Sequence, residues 1–323
     1  MTTSPFGRML VVVNTRAGRG AMRHAWPKVR EVLEAAGLEY EVAPTERPGH
    51  ATELARAGIE SGIRYVVAVG GDGTVHEVVN GMMGENGPLD PEAVLGVVPS
   101  GSGSDFGRTY GMAQDPAIAA QHLAGDTLWG RIDVARIAYT AFDGTAGQRW
   151  FANIAEVGIG GDVVVEAVQM PKWLGGLTYR LAAVKAITRF RPQRASIRMN
   201  ARAATSRAAT EPLADVVHES PVSLVVIANG QFFGGNLRVV PRAIPSDGML
   251  DVLIASGTKW DGIRMLQRMP SGTHIPSPNV LEYLANSLSM DAPRPMTVEA
   301  DGEPLGTTPV TVDLVPAALR LKI

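Results

Sequence analysis

The run Arg64-Tyr65-Val66-Val67-Ala68-Val69, followed by Gly70-Gly71-Asp72-Gly73-Thr74, limits this chain more than any other stretch. A short Val-rich apolar run reads as a buried strand, and glycines around a carboxylate allow a tight turn. Thr74 and Glu77 have the spacing of a capping box, and Val75, Val78, Val79, Met82 and Met83 fall on one helical stripe. The order is therefore strand, glycine turn, helix. Such a turn leaves backbone N–H groups and a helix N-terminus unobstructed, which suits a phosphate. Glycines alone would equally serve an ordinary βα turn. Asp72 adds a second constraint, because a carboxylate inside an anion cradle repels phosphate unless a cation lies between them.

The same order recurs. Residues 9–13 form a strand ending at Asn14 and a second glycine-rich turn, with a helix over 25–36 closed by Gly37. A strand at 38–42 leads through Thr45 and Gly49 into a helix reaching about 59, and a strand at 94–98 leads into Ser100-Gly101-Ser102-Gly103-Ser104-Asp105. This alternation predicts a doubly wound, Rossmann-like parallel sheet, whose ligands bind beyond the carboxyl ends of the strands. All four turns lie at that edge.

After a helix at 116–124 the pattern changes to short strands at 131–137, 150–154, 196–199, 222–228 and 250–254. Two helical stretches interrupt them, at 174–190 and 259–269. At 323 residues the chain has room for two cores, and the expected class is α/β, with domain 1–130 followed by a mainly antiparallel β-sandwich domain 131–323. A return of the C-terminal segment to the first domain is left open. Residues 201–219, polar and without periodicity, read as a surface loop.

A net charge of −2 gives no sign of a nucleic-acid partner, and the absence of cysteine removes disulfides and thiolate chemistry. The longest apolar runs fall far short of the roughly 20 residues that span a bilayer. The expectation is a cytoplasmic, unexported protein whose membrane contact is peripheral, at the inner face. A homo-oligomer is left open.

Gly70 to Thr74 resembles the nucleotide motif shared by the diacylglycerol kinase catalytic domain, the sphingosine and ceramide kinases and, more distantly, NAD kinase and phosphofructokinase. The rest of the chain resembles the bacterial diacylglycerol kinase-like lipid kinases. The first turn matches their Asn-Pro-x-Ser-Gly at Asn14 and Gly18 but departs at Thr15 and Ala17. Gly101 to Asp105 is similar to their Gly-Thr-x-Asn-Asp, with Ser104 replacing an amide. Ala228-Asn229-Gly230, Gly234-Gly235, Pro241-Arg242, Asp247-Gly248-Met249-Leu250-Asp251 and Asp301-Gly302-Glu303 repeat the family's order. NAD kinase and phosphofructokinase lack this second series.

The resemblance implies an ATP- and Mg²⁺-dependent kinase acting on the hydroxyl of diacylglycerol or a related lipid presented at a membrane surface. It implies nucleotide contacts from Asn14, Thr45, Gly70, Gly71, Asp72, Gly73, Thr74, Val75, His76, Ser102 and Asp105. By the same resemblance, Asp72, Asp105 and Asp133 hold the nucleotide's Mg²⁺, and Asp247 with the Ile244 and Met249 carbonyls holds a second. Read by residue alone, Asp105 equally fits a helix N-cap, Asp133 a strand-end carboxylate and Asp247 a turn. Asp301 is the candidate base: a positioned carboxylate takes the proton of an attacking hydroxyl, and Gly302 lets Glu303 approach the same site as a helper. Asp-Gly is also an ordinary hairpin turn, here between 296–298 and 309–312. A soluble-substrate kinase of the NAD kinase type and a binding protein without turnover are the alternatives. The helix at 174–190, with Trp173, Leu177, Leu181, Val184 and Ile187 among basic residues, suits a membrane interface or, more commonly, packing on its own sheet.

Overall fold

The computed structural model describes residues 4–100, 104–170, 177–204 and 211–323. The chain divides into two compact units, residues 1–134 with 315–323, and residues 135–314.

In the first unit, β1 (Met9–Val13), α1 (Ala21–Ala35), β2 (Tyr40–Pro44), α2 (His50–Glu60), β3 (Tyr65–Gly70), α3 (Asp72–Met82) and β4 (Val94–Pro99) alternate as the sequence predicts. Short helices α4 (Asp105–Thr109) and α5 (Pro116–Gln121) follow, and β5 (Gly130–Ala141) starts here. The strands lie parallel in the order β2-β1-β3-β4, and Arg320–Lys322 at the C-terminal end of the chain add a further parallel strand beside β4. β1, β3 and β4 are buried throughout, as continuous Val/Leu runs must be when helices cover both faces of a parallel sheet. Met22, Val29 and Leu33 of α1 complete a core with Met9, Tyr65 and Leu123.

The Thr74–Glu77 pair does not form a capping box. The helix starts at Asp72 with Gly71 as its N-cap and no side-chain cap bond. Glu77 instead accepts the Gly49 and Ala51 N–H groups at 2.9 and 3.0 Å, so its carboxylate caps the neighbouring α2.

The second unit contains β6 (Ala146–Phe151), β7 (Ile154–Gly158), α6 (Ile159–Gln169), α7 (Leu177–Arg189), β8 (Gln193–Ala203), β9 (Ala214–Val222), β10 (Leu224–Ala228), β11 (Leu250–Ala255), α8 (Lys259–Arg268), β12 (Val280–Asp291), β13 (Thr297–Ala300) and, as far as Leu314, β14 (Glu303–Lys322). Its antiparallel order is β13-β7-β10-β11-β12-β8-β9. β14 pairs with β13 near its start and with β12 through Val310–Asp313, which curls the sheet around Phe151, Val157, Ile227, Val252 and Val298. A second apolar cluster on the other face includes Ile154, Val164, Val226 and Phe233.

Three expectations need correcting here. α6 is a third helix that the sequence reading lacks, because its glycine-rich start and Val163-Val164-Val165 imitate a strand. β12 is also absent from that reading. The expected loop 201–219 is strand at both ends: β8 runs to Ala203 and β9 starts at Ala214. β9 pairs only with β8 and buries little but Val222, so it shows no apolar alternation.

α7 buries Ala182, Ala183, Ala186 and Ile187, while Leu181 and Val184 face outward. Lys185 and Arg189 both pair with Glu166 of α6. Trp173 lies outside the described residues, as do Gly101, Ser102 and Gly103. Among the described residues no helix is long and apolar enough to cross a membrane.

Candidate active site

Parallel register brings four turns to one edge of the first unit. The Asn14 N–H donates to the Val69 carbonyl, Thr45 N–H to Val13 and Ser100 N–H to Gly70, at 2.7–2.9 Å. Asn14, Thr45, Gly70 and Ser100 therefore sit side by side beyond β1, β2, β3 and β4. Side chains bind the turns together: Asn14 Nδ2 donates to Thr74 Oγ1 at 3.2 Å, and Asp72 Oδ1 accepts the Phe106 N–H at 3.0 Å. Close approach requires glycine at position 70 and leaves little room at position 71. A Cβ at Gly70 would meet Thr74 Oγ1 at 2.4 Å and one at Gly71 the Ser100 carbonyl at 3.3 Å, whereas one at Gly73 would meet nothing within 4 Å. Gly73 thus leaves open space over the first turn of α3, at the positive end of the helix dipole. Thr74, Val75 and His76 are buried, and Asn80 Nδ2 lies 3.4 Å from His76 Nε2. Their side chains pack inside the unit.

The acidic residues of this unit do not gather into one cluster. Asp105 is buried at the start of α4, after Ser104 in left-handed backbone, and Asp133 on β5 is buried with its Oδ1 accepting the Ala317 N–H at 2.7 Å. Among the described residues no three His, Cys, Asp or Glu side chains are placed to hold a metal ion.

In the second unit, Asp301 and Gly302 are the central residues of the tight hairpin between β13 and β14, with φ of +50° and +89°. Two left-handed residues in a row are what a primed two-residue turn needs, and Asp-Gly supplies them. The hairpin is closer than the sequence suggested, with Glu303 directly opposite Ala300. The turn does more than reverse the chain. Asp301 accepts three backbone N–H groups, from Ala152 at 3.1 Å, Asn153 at 3.1 Å and Ile154 at 3.0 Å. Residues 152–154, the break between β6 and β7, are held in turn: Asn229 Nδ2 donates to the Ala152 carbonyl, and the Asn229 and Gly230 N–H groups donate to Asn153. The Asp301 carboxylate is thus fixed by a frame that no single stretch of sequence reveals, although Asn153 inside an apolar run was a visible signal.

Asp247 is exposed, and its Oδ1 accepts the Met249 N–H at 3.1 Å beside Gly248 at φ +72°. Ile244 lies in the same loop and is 43% exposed.

Sequence reading missed two carboxyls. Glu156 on β7 and Glu299 on β13 are register partners, both buried. Burial pushes the Glu156 carboxyl up to about 7. Burial and then the adjacent Glu156 hold Glu299 well above the usual carboxylate range. Glu299 Oε2 accepts the Gly302 N–H at 2.8 Å, so it supports the Asp301 turn. Glu156 lines a cavity of about 380 Å³ whose other walls are chiefly apolar, including Ile159, Ile187, Leu224, Phe233 and Met265.

Two family models match the chain and give its class: the diacylglycerol kinase catalytic domain over residues 8–137, and the YegS C-terminal NAD kinase beta sandwich-like domain over residues 154–323. A "probable lipid kinase YegS-like" of Chromohalobacter salexigens is 30% identical, covering 91% of this chain and 88% of its own. A diacylglycerol kinase of Bacillus subtilis is 25% identical, covering 94% and 91%. A crystal structure of a diacylglycerol kinase from Bacillus anthracis shares the fold, with TM-score 0.68, 21% identity and coverage of 98% and 97%. The chain belongs to the diacylglycerol kinase-like lipid kinase family, phosphotransferases with an alcohol group as acceptor.

Proposed function

We propose that this kinase uses ATP to phosphorylate the hydroxyl of diacylglycerol or a related lipid, with Asp301 as the base. The carrying observation is the Asp301 carboxylate, fixed by three backbone N–H groups in the same unit as an apolar cavity of about 380 Å³, a size in the range of small-molecule sites. Phosphoryl transfer asks mainly for positioning and charge stabilisation. The lipid oxygen bonds to the γ-phosphorus as its proton passes to Asp301, and the bond to the β–γ bridging oxygen breaks to release ADP. In this reading, Asn14, Thr45, the Gly70–Thr74 turn and the start of α3 hold the nucleotide phosphates.

Mg²⁺ keeps several waters and needs one or two carboxylates beside substrate phosphates, so the lack of a three-carboxylate cage among the described residues is compatible with it. Asp72 and Asp105 are the residues that would hold it. When bound, it neutralises charge on the β- and γ-oxygens. Trp260 is 72% exposed, next to Lys259 at the cavity, and we assign this rim to an anionic membrane surface on the cytoplasmic side, where ATP is supplied.

The test is transfer of label from γ-³²P-ATP to diacylglycerol in mixed micelles with Mg²⁺, read after extraction into organic solvent. Labelled lipid is the expected result. Label appearing only on NAD, or on no acceptor, would overturn the reading.

A further inference from the structure

The Asp301–Gly302 turn is gripped from a second side. Glu299 lies on β13, where strand alternation turns it away from the core face that takes Val298 and Ala300. Its side chain reaches forward along the turn, and Oε2 accepts the Gly302 N–H at 2.8 Å. Oε1 is buried without a hydrogen-bond partner among the described residues, so the hydrogen bonding of this carboxyl is directed to the turn. A β-bulge stands at the same place. Val298 pairs with Gly306 but Glu299 with Pro304, which makes Leu305 an extra residue of β14. Bulges are concentrated beside active sites, where they re-aim side chains.

A carboxyl is an unfavourable group to bury here. Glu299 is 0% exposed, and Glu156 is its register partner. Burial first, then Glu156 and the Asp301 carboxylate, hold it well above the usual carboxylate range, so it meets the Gly302 N–H as a protonated, uncharged acceptor. A leucine of similar size would fill the same space without that penalty, but would leave the Gly302 N–H unmet. Two other roles fail on position. Glu299 offers no surface to a substrate, and it is absent from the wall of the cavity, where Glu156 stands alone of the two. What it does reach is the residue after Asp301.

We propose that Glu299 is a positioning residue for phosphoryl transfer: by holding the Gly302 N–H it keeps the Asp301 carboxylate on the frame of residues 152–154. This rests on the reading of Asp301 as the base. The Asp301 N–H donates to the Ile154 carbonyl at 2.8 Å, and its carboxylate accepts the three N–H groups of 152–154. These bonds fix the peptide before Asp301 and its side chain. The Gly302 N–H belongs to the peptide that follows, and Glu299 fixes the orientation of that plane. A base displaced by about 1 Å from the attacking hydroxyl costs on the order of 10²-fold in rate.

The experiment compares Glu299→Leu, Glu299→Asp and Glu299→Gln in the full chain, by labelling from γ-³²P-ATP and by peptide-resolved amide exchange without nucleotide or lipid. Leu keeps the bulk without an acceptor, Asp keeps the carboxyl but falls one carbon short, and Gln restores an uncharged acceptor at full length. Leu and Asp should lower kcat about tenfold or more, with KM for ATP within about twofold of wild type. Gln should recover turnover to within about threefold of wild type. Exchange in the peptide spanning 152–154 should quicken about tenfold in the Leu and Asp variants, the scale of one unmet N–H, and stay at the native rate in Gln. Should Leu not fold, Asp and Gln carry the same comparison. Native turnover and exchange in the Leu and Asp variants, or a Gln variant that falls as far as they do, would overturn the proposal. Faster exchange spread evenly over every peptide would overturn it too, by making Glu299 a residue of general stability. The exchange arm needs no kinase activity. Local loosening while wild type labels no lipid would sink the kinase reading, whereas native exchange in the variants beside normal labelling by wild type would sink this proposal alone.

Discussion

Replacing Asp301 by Asn keeps its size and its tolerance of left-handed backbone, yet it turns an amide NH₂ toward backbone donors that now meet only a carboxylate. We therefore expect a loss of about 1–3 kcal/mol of stability from the unmet N–H. Turnover should fall by on the order of 10²-fold or more through loss of the proton acceptor. Melting curves run beside the labelling assay separate the two, and a rate that falls only with the folded fraction would make Asp301 a turn residue. Asp72→Asn is the cleaner charge test. The Asn oxygen can still accept the Phe106 N–H, so the melting temperature should hardly move while the shift produced by Mg-ATP is lost. An unchanged Mg-ATP shift would remove the charge of Asp72 from the site. Glu156 makes a prediction in pH. Its folded value of about 7 lies above the ordinary 4.5, so between those values the native state binds more protons than the unfolded chain and stability falls as pH rises. Glu156→Gln should accordingly be more stable than wild type at pH 8, by about 3 kcal/mol at most, with the difference gone near pH 4. Equal melting temperatures at pH 8 would contradict the burial argument.

Helices α2 and α3 show packing overruling propensity. A Cβ at Gly81 would lie 2.4 Å from the Thr52 carbonyl and 2.7 Å from Ala55 Cβ. Ala is worth about 1 kcal/mol over Gly in a helix interior, but overpacking against backbone costs about 1–3 kcal/mol, so Gly81→Ala should be destabilising. A denaturation midpoint at or above wild type would refute that close contact. This is also where reading from sequence stopped. Features written in local chemistry were legible: the buried Val runs of β1, β3 and β4, the turns at their ends, and Asp-Gly as a hairpin. Glu77 was misread because its spacing to Thr74 is local while its partners, Gly49 and Ala51, become neighbours only when α2 packs on α3. α6 was missed because Gly160 and Gly161 are there for what they pass, the Glu156 carboxyl and the Thr297 carbonyl, rather than as a turn signal. Glu156 and Glu299 were illegible for the same reason, since each is one acidic residue in a strand until the register of β7 and β13 sets them face to face.

The first unit is not continuous in sequence, and this has a consequence for how the molecule can be cut. Residues 315–323 supply the strand Arg320–Lys322 beside β4 and bury Ala318, Leu319 and Leu321. They also bring the Ala317 N–H to Asp133, the Lys322 ammonium to the Thr127 carbonyl and Arg320 to Glu92. A fragment ending at Val134 would carry every turn of the proposed nucleotide site. It would nonetheless leave β4 as an open apolar edge and Asp133 without that donor, and an unpaired edge of this kind invites aggregation. We expect fragment 1–134 to melt at a lower temperature and to associate at micromolar concentration. The same fragment joined to residues 315–323 by a flexible glycine-serine linker should melt higher and stay monomeric, because closing a loop of that length costs little beside the strand pairing and burial regained. Circular dichroism melts with sedimentation on the two fragments decide the matter. If they melt together and both remain monomeric, the terminal strand is an accessory to the first unit and its folding is complete without it.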